Sequence, residues 1–134
     1  MRVPWDDTIK MDIPAVDVEH RQMFALLDQF FALVDEKAAT ATLARQLNDL
    51  LDYTAKHFQR EELLLDRAGF PGTARHAAQH GLLLQQMGYF RESFAAGRAT
   101  HELTLSSGDV FCNWLVDHIR RDDMTYRPYL KTLS

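Results

Sequence analysis

Apolar residues recur at intervals of three and four in four segments of this chain. That spacing is typical of helices that bury one face against a core. In the second segment, the positions on this face are Leu43, Leu47, Leu50, Thr54, His57, Glu61 and Leu64. The pattern predicts helices over about residues 17–36, 42–67, 73–96 and 101–122.

Residues at the ends of these segments suit the ends of helices. Asp17 and Thr73 are suitable N-cap residues for the first and third helices, and Gly69 with Pro71 ends the second. Gly108 lies inside the fourth segment, where glycine disfavours a helix by about 1 kcal/mol relative to alanine.

The connections between the four segments are short, and no long stretch alternates apolar and polar residues as a strand does. Helices of about 20 residues are about 30 Å long, so the chain predicts an all-α fold, an antiparallel up-down-up-down four-helix bundle. We expect residues 1–134 to form one domain, with an extended N-terminal arm over residues 1–16 that Trp5 anchors. The C-terminal tail from Tyr126 is expected to pack across the bundle.

Composition and charge exclude several classes of partner. With 46% hydrophobic and 25% charged residues in 134, the chain is an ordinary globular domain. A net charge of −4 with interspersed signs offers no basic surface for nucleic acid or an anionic membrane. Cys112 is the only cysteine, which excludes an intramolecular disulfide. Without a signal peptide or a long apolar run, we expect a soluble, cytoplasmic protein with no membrane insertion.

Polar residues occupy apolar faces of all four predicted helices. They are His20, His57, Glu61, His76, His80 and His118, whereas the sixth histidine, His101, lies off these faces. One such histidine is more often a hydrogen-bonded core residue than a metal ligand. Six unpaired buried groups would cost as much as the whole stability of a domain, about 5–15 kcal/mol. A metal centre compensates, because imidazole nitrogen and carboxylate oxygen are metal ligands.

The spacing of these residues also fits a metal centre. His57 and Glu61 are four residues apart, as are His76 and His80. Four residues turn a helix by about 400°, so each pair points in one direction. In an antiparallel bundle, the start of the first and third helices and the end of the second and fourth share one height, where the six residues would meet.

Five imidazoles and a carboxylate exceed the four ligands of a tetrahedral zinc site, which indicates two metal ions. Two ions need bridging groups, and Glu61 is one candidate. A second follows His118: helical spacing favours Asp122, four residues later, whereas a frayed last turn would present Asp123. The spacing leaves both open.

Two other metal motifs fit less well. The segment HAAQH, residues 76–80, lacks the glutamate of the H-E-x-x-H zinc proteases. No histidine has a glutamate three residues before it, as carboxylate-rich di-iron bundles require. A centre rich in imidazole favours reversible ligand binding over oxygen-cleaving chemistry.

Several motifs in order carry a resemblance to a known family. They are Trp5, DVEH at residues 17–20, HFQREE at 57–62 with a following GFP at 69–71, HAAQH at 76–80, and WLVDHIRRDDMTY at 114–126. Across nearly the full chain the sequence resembles the hemerythrins, and most closely their single-domain bacterial members.

The resemblance implies a function and a ligand set. The family is one of non-haem proteins that reversibly bind dioxygen, for storage, delivery or sensing, at two iron ions with an oxo or hydroxo bridge. The ligands carried over are His20, His57, Glu61, His76, His80, His118 and Asp123. The resemblance thus selects Asp123, five residues after the histidine of the fourth helix.

The resemblance also implies an apolar oxygen pocket formed by Met23, Phe58, Trp114, Leu115 and Ile119. Glu62 lies off the ligand face and is expected to be an ordinary solvated charge. Two alternatives to oxygen binding remain: a di-iron peroxidase, oxidase or nitric oxide-handling enzyme on the same bundle, and a metal-free or zinc-filled interaction bundle.

Overall fold

A computed structural model describes residues 9–97 and 101–131 of the chain, and Trp5, the expected anchor of the arm, lies outside them. Within these residues, four long helices form the predicted bundle and no strand occurs. They are α1 (Pro14–Asp35), α2 (Thr40–Ala68), α3 (Thr73–Ala95) and α4 (His101–Asp117). α4 continues into a π-helical turn (His118–Asp123), which leads into a short helix, α5 (Met124–Lys131).

α1 begins at Pro14, so the prediction that Asp17 caps this helix was wrong. Proline suits the first position of a helix, because its fixed φ is helical and the missing N–H has no partner there. Asp17 instead lies buried in the first turns, where its carboxylate accepts hydrogen bonds from the backbone N–H groups of Met11 (2.8 Å) and Asp12 (3.0 Å). Asp17 therefore holds the arm against the bundle.

The turn between α2 and α3 follows the prediction at its glycine and departs from it at its threonine. Gly69 has φ 69°, the left-handed conformation that favours glycine, and Phe70 N–H donates to Leu65 O at 3.1 Å. Thr73 is the first residue of α3 rather than its N-cap, which is Gly72. The Thr73 hydroxyl donates to Phe70 O at 2.7 Å, so it closes the turn.

The half of the core far from the N-terminus of α1 is aromatic. The ring centroid of Phe30 lies 6.4 Å from that of Phe90 and 6.1 Å from that of Phe94. Phe90 in turn lies 5.1 Å from Phe111. The buried polar residues are thus left to the opposite half of the bundle.

α5 packs against α2, as expected for the C-terminal tail, which is helical over Met124–Lys131. The side chain of Tyr126 is fully buried. Arg127 joins α5 to the arm, because its Nε donates to Met11 O at 2.7 Å and its Nη2 pairs with Asp12 Oδ2 at 2.5 Å. Among the helices of the described ranges, none has the length and apolar character needed to cross a membrane.

Candidate metal centre

Seven polar side chains, all 5% exposed or less, meet at the polar end of the bundle. α1 provides His20, α2 provides His57 and Glu61, α3 provides His76 and His80, and the π-helical turn provides His118 and Asp123. The structure thus brings together every residue that the resemblance assigned as a ligand.

Glu61 lies between two sets of histidines and presents one carboxylate oxygen to each. Its Oε1 is 2.7 Å from His76 Nε2 and 3.1 Å from His80 Nε2. Its Oε2 is 3.1 Å from His57 Nε2 and 3.7 Å from His20 Nε2. A carboxylate placed in this way can bridge two ions, one on each side.

Asp123 divides its oxygens between the same two sets. Its Oδ1 is 2.9 Å from His76 Nε2 and 3.1 Å from His118 Nε2, and its Oδ2 is 3.2 Å from His20 Nε2. The possible ligand atoms accordingly fall into two groups, each with all its atoms within 4.8 Å of one another. One group is Glu61, His76, His80, His118 and Asp123, and the other is His20, His57 and Glu61.

Unsatisfied atoms show that these residues fit metal ions. Both ring nitrogens of His20 and both carboxylate oxygens of Asp123 are buried and make no hydrogen bond to any described residue. The Nε2 atoms of His80 and His118 are only 3.0 Å apart. The lone pairs of two unprotonated ring nitrogens at this distance repel each other unless a proton or a cation lies between them. The imidazole nitrogens and carboxylate oxygens of this cluster therefore suit metal cations that bind nitrogen and oxygen ligands.

The electrostatics of the cluster also favour bound positive charge. Burial alone would lower the pKa of His20, but the carboxylates of Asp123 and Glu61 outweigh it and raise that pKa to about 9. Burial would also lower the pKa of His76, and the same two carboxylates raise it to about 9. Burial would raise the pKa of Asp123, and the imidazoles of His118, His20 and His76 hold it below its ordinary value. Two buried carboxylates thus attract protons to the imidazoles when no metal neutralises them.

The π-helical turn explains how Asp123 reaches the cluster. In an α-helix, five residues turn the chain by about 500°, which would point Asp123 about 140° away from His118. A π-helix joins residues five apart by its backbone hydrogen bonds, so residues 118 and 123 share a face. Asp122, four residues after His118, is displaced to the rim and is 31% exposed.

Comparison with known proteins identifies the family. The sequence profile described as the hemerythrin HHE cation binding domain matches residues 11–130. The chain belongs to the hemerythrin family. A bacteriohemerythrin of Stenotrophomonas maltophilia is 28% identical over 127 residues, which cover 95% of this chain and 80% of that protein. Myohemerythrin-1 of Phascolopsis gouldii is 27% identical over 126 residues, or 94% of this chain and 92% of that one.

Solved structures agree with this assignment. A crystal structure of wild-type hemerythrin superposes with a TM-score of 0.83 at 26% identity and covers 97% of this chain and 98% of its own. Hemerythrins are oxygen-binding, non-haem di-iron proteins, so this chain is a di-iron protein and its small-molecule partner is dioxygen. The family does not favour the enzyme alternative.

The five residues predicted to form the oxygen pocket differ in their burial and in their contacts with the histidines of this hemerythrin centre. Phe58 stacks on His80, with the two rings 3.8 Å apart and nearly parallel at 3°. Met23, Leu115 and Ile119 are buried in the core, each 2% exposed or less. Trp114 is only partly buried and lines an open cavity of about 400 Å³ that reaches His118.

The sequence did not predict that three carboxylates lie beside the outer nitrogens of the histidines. Glu62 was predicted to be solvated, and that was wrong: its Oε2 lies 3.3 Å from His80 Nδ1. Glu19 Oε1 lies 2.8 Å from His57 Nδ1, and Asp122 Oδ2 lies 3.0 Å from His118 Nδ1. A signal was present, since each carboxylate adjoins a ligand in sequence: Glu19 precedes His20, Glu62 follows Glu61 and Asp122 precedes Asp123.

Proposed function

We propose that this hemerythrin binds dioxygen reversibly and that seven residues hold its two iron ions. They are His20, His57, Glu61, His76, His80, His118 and Asp123. The observation that supports this most strongly is the division of Glu61 and Asp123, each of which offers one oxygen to each histidine set.

The two sets would hold one ion each. His76, His80 and His118 would bind one iron, and His20 with His57 the other, while Glu61 and Asp123 bridge them. Because the second set supplies one imidazole fewer, its ion would have a position free for dioxygen. When bound, the iron pair supplies the electrons that dioxygen takes up and returns on release.

The apolar residues would keep water from this position. Phe58 lies beside His57, with ring centroids 5.8 Å apart, and stacks on His80, while Met23, Leu115 and Ile119 are buried in the core. Trp114 would stand at the rim, where the cavity beside His118 opens to solvent. A small, dry pocket protects the reduced centre from irreversible oxidation.

We infer further that the chain forms one domain. Both ends of its described part join the bundle, because Asp17 holds the arm and Arg127 links the arm to α5. The family profile also spans nearly all of these residues.

Spectroscopy of iron-loaded protein tests the proposed function. We expect two iron ions per chain, and a visible charge-transfer band that forms when oxygen reaches the reduced protein and disappears on deoxygenation. Asp123→Ala should remove the band, whereas Asp52→Ala, which changes an exposed carboxylate on α2, should keep it. A protein that stays colourless with a full complement of iron would contradict oxygen binding.

A further inference from the structure

Three of the five histidines in the centre have a carboxylate on their outer side. Each of these imidazoles points Nε2 into the cluster and Nδ1 away from it. Glu19 lies at Nδ1 of His57 (2.8 Å), Asp122 at Nδ1 of His118 (3.0 Å) and Glu62 at Nδ1 of His80 (3.3 Å). We call these three residues the outer carboxylates.

An outer carboxylate decides which nitrogen of a neutral imidazole carries the proton. An ionised carboxylate only accepts hydrogen bonds, so Nδ1 must be the donor. The lone pair then remains on Nε2, which is the nitrogen that faces the centre. Such a partner also fixes the plane of the ring.

Two of the outer carboxylates are themselves held in place. Arg60 Nε donates to Glu19 Oε2, and Arg60 also lies over the ring of Tyr53, 5.8 Å from its centroid. Asp122 Oδ1 accepts a hydrogen bond from Gln79 Nε2 on α3 at 3.2 Å. Glu62 has the longest contact with its histidine, so it should hold its ring the least firmly.

His20 provides a comparison inside the same centre. Its Nδ1 makes no hydrogen bond to any residue in the described part of the chain, although the ring is 1% exposed. Its ring plane and tautomer therefore have no outer support of the kind that His57 and His118 have.

We propose that Glu19, Asp122 and Glu62 are positioning residues that hold His57, His118 and His80 as Nδ1–H tautomers with Nε2 ready to bind metal. Glu19 and Asp122 contribute most, because each is held by a second residue. This inference rests on the proposed ligand roles of the three histidines, and it does not depend on dioxygen binding.

Zinc is a suitable probe, because it is diamagnetic, is not oxidised and binds imidazole nitrogen. In zinc-loaded protein labelled with ¹⁵N, we expect N–H correlations from Nδ1 of His57 and His118. Glu19→Ala should abolish the His57 signal alone and weaken zinc binding about 10-fold, and Asp122→Ala should do the same for His118. Glu62→Ala should have the smallest effect on zinc binding.

Conservative variants separate positioning from a merely structural role. Glu19→Gln and Asp122→Asn keep an oxygen that accepts from Nδ1, so they should retain the N–H signal and bind zinc with intermediate affinity. Asp52→Asn, at an exposed carboxylate, should match the wild type. Circular dichroism checks that each variant is folded. If an alanine variant does not fold, the zinc affinity of its amide variant tests the proposal instead.

Two results would overturn the proposal: zinc affinity equal to that of the wild type in folded alanine or amide variants, or reduced affinity with the Nδ1–H signal intact in the alanine variants. Failure of the iron-loaded protein to bind dioxygen would refute the proposed function and leave these zinc measurements unaffected.

Discussion

Glu61 is the side chain on which most of the centre depends. Four imidazoles surround its carboxylate, and the phenol of Tyr126 donates to Oε2 at 3.0 Å. Burial alone would raise the pKa of this carboxyl, but the surrounding imidazoles of His20, His57, His76 and His80 hold that pKa well below its ordinary value. Glu61 is therefore ionised, and the hydroxyl of Tyr126 serves a charged acceptor.

Tyr126→Phe removes that hydroxyl and leaves the ring in place. A hydrogen bond to a charged group contributes about 1.5–3 kcal/mol, so we expect the free energy of unfolding of the metal-free protein to fall by about 2 kcal/mol. Urea denaturation measures the change. Tyr89→Phe removes a hydroxyl that accepts from Gln85 on the exposed face of α3, and it should change stability by less than about 0.5 kcal/mol. Equal effects of the two substitutions would contradict the role of Tyr126.

The ligands and the outer carboxylates differ in how far the sequence predicts their positions. His57 and Glu61 follow from helical periodicity, because four residues return a side chain to nearly the same direction. Glu62 does not, because periodicity gives the direction of Cβ and not the reach of a long side chain. Glu62 points about 100° away from Glu61 along α2 and still reaches His80 on α3.

Among the structural elements, the π-helical turn decides the second bridging residue. Regular helical spacing favoured Asp122, and the resemblance to a family selected Asp123. The π-helical turn is the physical reason that Asp123 faces the cluster. Helical spacing of 3.6 residues per turn does not predict a π-helix. The four long helices were predictable because their apolar residues follow that period over more than four turns.

Deletion of Arg121, an exposed residue of the turn, tests this explanation. Shortening the turn by one residue should restore an α-helix, in which Asp123 stands four positions after His118 and faces the cluster again. We expect the deletion variant to bind two iron ions per chain, as measured by metal analysis.

An alanine inserted after Arg121 provides the contrast. It would turn α5 by about 100° and carry Tyr126 away from Glu61, so iron content and the thermal midpoint should both fall. Loss of iron from the deletion variant to the same extent as from the insertion variant would refute the role of the π-helical turn.

Gly108 determines how closely α4 approaches α1. A Cβ built at this buried position would lie 2.5 Å from Cε1 of Phe31. Gly108→Ala gains about 1 kcal/mol in helix propensity, but overpacking costs about 1–3 kcal/mol, so we expect a net loss of stability of about 1 kcal/mol. Gly88→Ala on α3 meets no atom within 4 Å and should stabilise the protein by up to about 1 kcal/mol. Chemical denaturation distinguishes the two, and a stabilised Gly108→Ala variant would contradict the close approach.

At the scale of the whole molecule, the bundle separates two kinds of core. One half is filled by aromatic rings around Phe30 and Phe90, which pack without any metal. The other half contains buried imidazoles and carboxylates, among which His20 and Asp123 have no hydrogen-bond partner within the described ranges of the chain. Metal removal should therefore weaken one half of the molecule much more than the other.

Chelation of iron should lower the thermal midpoint of the whole protein. Binding at 100 times the dissociation constant stabilises a fold by about 2.7 kcal/mol, which corresponds to roughly 8 °C per ion for a domain of this size. Calorimetry with and without a chelator measures the shift, and a His76→Ala variant should show a smaller one. A midpoint that chelation leaves unchanged would support the metal-free bundle instead.

The distribution of the ligands along the chain has a consequence for unfolding. Residues 20 and 123 lie near opposite ends of the described part, and the other five ligands fall between them on α2, α3 and the start of the π-helical turn. Once loaded, the centre acts as a branched cross-link that closes several long loops at once. Loop closure removes entropy from the unfolded chain, and it removes more as the loops lengthen. A chain whose single cysteine allows no internal disulfide thus gains from its oxygen-binding centre the restraint that disulfides give to other small proteins.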